Sequence, residues 1–300
     1  MTTHAHTSQP AGRGERPRWS DRIRSIAMAA STAAFILTPT LGPVVAGTGE
    51  DVEEYDTDIT PPRYAFVIWA PIFAAAATNA AQHLTRQTAS INRRTGWWLT
   101  GAYAVNAAWS VTVQSGRFQV TPYILPPAAA LTAVGYFKAQ GEAAGRERLV
   151  PHNAGLLLGW TSVASIVNFF AAQRLSCSTA TSTKGRKAAR GTILAAASGL
   201  AAVIISSKHG YISLATTSAW AFITNAANPR RTFRSRAVNA VAGGAIVATS
   251  IAKLIRDRTT ELSAGAACER KVQGGKSAAP NAMIARFLRQ QRACECSASR

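Results

Sequence analysis

The chain has 300 residues, 47% of them hydrophobic, and a formal net charge of +19. Not one Asp or Glu occurs between Ile59 and Gly141, or between Arg148 and Arg256. A soluble domain mixes both signs over its surface, so this distribution excludes an ordinary soluble globular protein. Its charges are short Arg/Lys clusters set between apolar stretches, the pattern of a multi-pass membrane protein. The bases are spread over many loops instead of forming one face, which argues against nucleic-acid binding.

Residues 1–24 are polar and basic, with Arg13, Arg16, Arg18, Arg22 and Arg24. The apolar stretch 25–47 follows. It is long for the core of a signal peptide and is expected to be a retained first span. Next comes EDVEEYDTD, which holds Glu50, Asp51, Glu53, Glu54, Asp56 and Asp58, six of the fourteen acids. The arginines before the first span should keep the N-terminus inside and put this acidic loop outside.

Seven more apolar segments lie at 64–82, 97–113, 121–137, 153–173, 190–207, 210–227 and 237–255. Each is near the ~20 residues that a helix needs to cross the hydrocarbon, and helix is the default because backbone polar groups in lipid must be satisfied within the segment. With the N-terminus inside, the basic loops 83–96 and 138–152 fall inside. Loops 174–189 and 228–236 are equally basic yet fall outside, against the rule. The tail from 256 is expected to lack fixed structure. One segment, NAMIARFLRQQR at 281–292, has the spacing of a helix lying on an anionic membrane surface, and reads equally as part of a solvated basic tail.

Rings and amides recur at helical spacing. Phe66, Trp69 and Phe73 follow i, i+3, i+7; Asn106 and Trp109 are i, i+3; Trp160, Ala164 and Asn168 are i, i+4, i+8. An amide in hydrocarbon must find a partner, so Asn106 and Asn168 are expected to face the bundle interior. Converging faces of this kind would make an aromatic pocket for a flat hydrophobic ligand. The same residues would also serve as interfacial rings and interhelical packing. GLLLG at 155–159 is a small-residue step for close helix contact, within the chain or in a homodimer.

No carboxylate lies in any span, and the histidines are scattered over ends and loops. Neither a proton relay nor an acid/base pair is in view, so the expectation is a protein that is not an enzyme and holds no cofactor or metal. His4 and His6 are too few to specify a metal site, and Cys294 and Cys296 form a lone C-x-C.

At three places the sequence resembles the TspO/MBR family, the tryptophan-rich sensory proteins related to the mitochondrial translocator protein. PPRYAFVIWAPIF (61–73) is similar to the family's Pro-Pro and aromatic entry to the second helix. NAAWS (106–110) is similar to the Asn-x-x-Trp-Ser of the third, and GWTSVASIVN (159–168) to the Trp-x-x-x-Ala-x-x-x-Asn of the fifth. The resemblance covers residues 25–173; VTV (111–113) replaces the paired Phe after the Asn-x-x-Trp, and further spans follow, as in a longer, divergent branch. It implies an all-α five-helix bundle, often dimeric, that binds porphyrins, sterols or similar ligands beneath the loop joining the first two helices. By that resemblance Trp69, Asn106, Trp109, Trp160, Ala164 and Asn168 would line the cavity, with Pro61 and Pro62 shaping its lid.

The expected organisation is a basic segment 1–24, a TspO-like five-helix region 25–173, three additional helices in 174–255 and a basic cytoplasmic tail 256–300. The expected function is binding or sensing of a hydrophobic, tetrapyrrole-like molecule in the cell membrane, with membrane lipid around the chain. The alternatives are a transporter of a hydrophobic or neutral solute and a membrane scaffold without ligand.

Overall fold

The computed structural model describes residues 16–46, 56–141, 145–176 and 182–274. It forms two compact units, Met1–Ser250 and Ile251–Arg300. Eight α-helices follow in chain order: α1 (Trp19–Ala46), α2 (Trp69–Thr85), α3 (Ser90–Gln114), α4 (Thr121–Lys138), α5 (Leu149–Ser176), α6 (Thr183–Ser206), α7 (Tyr211–Ala227) and α8 (Phe233–Gly274). Each apolar segment read from the sequence falls on one of them, and among the described residues there is no strand. Five regions are long and apolar enough to cross a membrane by length and composition: Trp19–Gly42, Arg63–Thr85, Leu149–Arg174, Thr183–Ser206 and Phe233–Ala266. At 17 residues, α7 falls just short of that length, and α3 carries Arg93 and Arg94 in its first turns.

The first unit buries many polar side chains within its apolar core and exposes apolar ones. Asn79, Thr95, Thr132, Thr161, Thr217 and Ser218 are buried, whereas Val67, Val111, Tyr123, Ile223 and Val241 are exposed. Many of the buried hydroxyls bond back to the carbonyl four residues earlier, as Thr132 does to Ala128 (2.7 Å) and Thr95 to Ile91 (2.7 Å). They need no water, and apolar side chains are left to face acyl chains.

The helices alternate between two ends of the bundle. At the base, where α1 begins, Asp21 takes two hydrogen bonds from Arg93 (3.0 and 2.7 Å) and pairs with Arg24 (2.9 Å). Arg24 also donates to the Gln87 carbonyl in the α2–α3 turn (2.7 Å). On the same level Tyr136, near the end of α4, donates to the His209 carbonyl before α7 (3.0 Å). The opposite end, the crown, carries residues 56–63. There Arg231 pairs with Asp56 and Arg190 with Asp58 (3.5 Å). The two basic loops that break the charge rule therefore stand beside the acidic loop. Arginines of these later segments are engaged structurally by the acidic residues there.

The core helices are α3, packed on α1 and α4, and α5, packed on α2, α4 and α7. Glycine permits the last contact. A Cβ on Gly155 would meet the Gly210 carbonyl oxygen at 2.6 Å, and one on Gly159 would collide with the Leu214 carbonyl and Thr217. The GLLLG step is thus occupied within the chain, by α7. Gly159→Leu should lower stability by roughly 1–3 kcal/mol through overpacking; thermal unfolding in detergent measures it, and an unchanged midpoint would refute the contact.

In the second unit the described residues continue α8 to Gly274; residues 251–266 are largely exposed, with Lys253 and Asp257 paired at i, i+4 (3.0 Å). Helix therefore runs past residue 256, where the sequence reading expected fixed structure to end. Its residues there are mainly good helix formers, whose propensity sustains a helix without an apolar face. The segment 281–292 and Cys294, Cys296, His4 and His6 lie outside the described residues.

Candidate functional site beneath the crown loop

Pro62 is extended (φ −65°, ψ 159°) and ends the acidic loop. A 3-10 turn over Arg63–Ile68 follows, and α2 begins only at Trp69. Proline fixes φ and cannot donate a backbone hydrogen bond, so the chain enters the bundle as a tight turn instead of a continuous helix. This turn is braced from α7. The Trp220 indole donates to the Ala65 carbonyl (2.8 Å), and the Tyr64 ring stands edge-on to Trp220 with centroids 6.5 Å apart.

Below it lies a cavity of about 280 Å³. Its roof is Thr60, Pro61, Arg63 and Phe66. Its walls are Trp69 from α2, Trp109 and Val113 from α3, Phe118, Leu125 from α4, Ala221 from α7, and Trp160, Ala164, Val167, Asn168 and Ala171 from α5. Among the described residues the lining carries no carboxylate, histidine or cysteine. Apart from Trp160, which stands near the middle of α5, the lining residues of the α-helices lie mainly in the crown halves. Toward the base the bundle is closed by a polar chain in which Asn153 donates to Asn79 (3.0 Å) and Asn79 donates to the Tyr103 hydroxyl (2.9 Å).

The rings form a connected set. Trp69 stacks on Phe73 (5.4 Å, 20°) and meets Trp160 edge-on (5.9 Å, 75°); Phe66 meets Trp160 from above (5.7 Å, 80°). Offset and edge geometries of this kind favour each pair by about 0.5–1.5 kcal/mol beyond burial, so the wall is stiff. Across the cavity the Trp109 indole donates to Asn168 Oδ1 (3.0 Å), and the Asn168 amide donates to the Ala164 carbonyl (2.9 Å). The Trp160 indole differs. It is only 3% exposed and its N–H has no partner. An unmet buried donor costs about 1–3 kcal/mol.

Six of the eight residues singled out from the sequence thus lie around one cavity: Pro61, Trp69, Trp109, Trp160, Ala164 and Asn168. Two do not. Asn106 is buried, but its amide turns back on its own helix to the Ala102 carbonyl (2.8 Å), off the cavity wall. Pro62 shapes the turn without lining the cavity. Phe73 also leaves the wall, packing edge-on to Phe35 (5.1 Å) in the core. The sequence reading missed Phe118, Leu125 and Ala221, since a bulky or small apolar residue in an apolar span carries no signal of its own. It missed Arg63 too, whose exposed side chain has no ion-pair partner among the described residues.

Among the described residues no group of three or more His, Cys, Asp or Glu side chains could hold a metal ion. No curated protein matches the chain, and no solved structure does. The family profile described as TSPO-like protein matches residues 22–255, which takes in all eight helical spans of the sequence reading. With the three tryptophan motifs gathered under one crown loop and a match over most of its length, this multi-pass membrane chain belongs to the TSPO-like protein family.

Proposed function

We propose that the chain binds a flat, predominantly apolar molecule in the cavity beneath the crown loop, as a receptor or sensor in the cell membrane with its N-terminus on the cytoplasmic side. The observation that carries this reading is the Trp160 indole N–H, buried on the cavity wall without a partner. A ligand acceptor atom would satisfy it while the rings of Phe66, Trp69 and Trp109 cover the ligand's faces. Arg63 at the roof offers a charge to a ligand carboxylate. At about 280 Å³ the space lies near the lower limit of small-molecule pockets, so a tetrapyrrole-like ligand would sit with one edge under the loop and the other toward Arg63.

Binding suits the geometry better than catalysis or transport. Among the described residues the wall holds no acid/base pair, and the polar chain through Asn79, Tyr103 and Asn153 stands in the path toward the base. A solute carrier would need a route past it.

Titration of the purified protein with a porphyrin, followed by tryptophan quenching, is the test. Saturable quenching is expected. Trp160→Phe keeps a ring but removes the donor, and should weaken binding about tenfold, the worth of roughly 1.4 kcal/mol. Absence of saturation, or equal affinity in the variant, would count against the cavity. Counterflow in proteoliposomes should show no flux of the bound compound.

A further inference from the structure

A second cavity of about 240 Å³ opens at the crown, separate from the tryptophan site. Its walls include Arg174 from the last turn of α5, Arg186 from the first turn of α6, Arg231, Asp56 and Asp58, with Phe170 among them. The carboxylates are already engaged. Arg231, whose side chain is only 7% exposed, binds Asp56 through both terminal nitrogens, and Arg190 pairs with Asp58. Arg174 and Arg186 are left over. Neither has an ion-pair or hydrogen-bond partner among the described residues. Two guanidinium groups therefore share a concave site without a carboxylate of their own among the described residues. The first turns of α6 make this worse, because Lys184, Arg186 and Lys187 stand at the positive end of the helix dipole with no acid among them.

We propose that this pocket binds a phosphate group through Arg174 and Arg186. A phosphate matches the charge left unbalanced, and the planar forks of two arginines suit its oxygens. Two sources share this chemistry, an anionic phospholipid headgroup and a free phosphate ester. The lipid is favoured by exposed apolar residues on the two helices that supply the arginines. Phe169 and Leu194, on the helices that carry Arg174 and Arg186, are 46% and 41% exposed and offer a bed for acyl chains. Bound phosphate would tie the end of α5 to the start of α6, next to the loop that roofs the ligand cavity.

The full chain in nanodiscs tests this. Discs of phosphatidylcholine alone are compared with discs containing about one-quarter phosphatidylglycerol, and with phosphatidylcholine discs in millimolar inorganic phosphate. The midpoint of thermal unfolding should rise by at least about 2 °C with phosphatidylglycerol. Arg174→Gln/Arg186→Gln should abolish that rise, while Arg22→Gln/Arg86→Gln, which removes the same charge at the base, retains it. A rise with inorganic phosphate that the first double variant alone abolishes supports the site with a soluble ligand instead. No rise under either condition, or equal loss in both double variants, overturns the proposal.

Discussion

Asp21→Ala should lower stability by about 3–5 kcal/mol, the usual cost of leaving a buried charge without its partner. The Asp21 side chain is 2% exposed and holds Arg24, 5% exposed, and Arg93, 30% exposed. Arg93 is able to turn toward water when the carboxylate is removed. Arg24 is not, because it remains packed beneath the α2–α3 turn with one hydrogen bond to the Gln87 carbonyl. The damage should be local to the base, where α1 is tied to α3. Detergent unfolding of the variant measures the loss. Asp21→Ala/Arg24→Met should recover much of it, since an ion pair exchanged whole for apolar groups is often nearly neutral. A double variant no more stable than the single would show that the cluster is not an isolated charge balance.

Arg231→Ala is the second large effect, expected at roughly 2–4 kcal/mol. One guanidinium binds Asp56 and donates to the Thr60 carbonyl through Nε (3.2 Å) and Nη2 (2.7 Å). Thr60 and Pro61 roof the tryptophan-lined cavity. The α7–α8 corner thus holds the lid, aided by Ser235 and Thr232, which donate to the Asp58 carbonyl and carboxylate. Without Arg231 the carboxylate, 29% exposed, rehydrates, but the loop loses its fixed height over the rings. Ligand dissociation should quicken by about tenfold or more, with association less altered. Arg231→Lys keeps the charge without the fork and should lie between the two. Stopped-flow quenching measures both rates. Reduced stability with unchanged dissociation would mean that the loop is not the lid.

These arginines bear on how far the sequence could be read. Eight helices were legible because in lipid the backbone must close its hydrogen bonds within each segment, so an apolar stretch of sufficient length marks a helix. The motifs at 61–73, 106–110 and 159–168 were legible because indoles and amides are costly in hydrocarbon and stand out from the Ala-rich background. Where they point was not legible. Asn106 and Trp109 share a face by spacing, yet the short amide folds back on its own helix while the long indole reaches Asn168 on α5. Asp21 drew no notice in the sequence, because nothing local distinguishes it from a solvated charge.

The sequence by itself determined the class of the protein, the number of its helices and the three aromatic motifs, since each follows from periodicity and from the cost of polar groups in lipid. Only the tertiary structure decided that α7 fills the GLLLG face, that Arg190 and Arg231 bind the acidic loop, and that Trp160 keeps an unpaired donor on the cavity wall. The physical reason is range. Pairings 59 to 175 residues apart depend on how the helices pack, and no local pattern encodes a partner that distant.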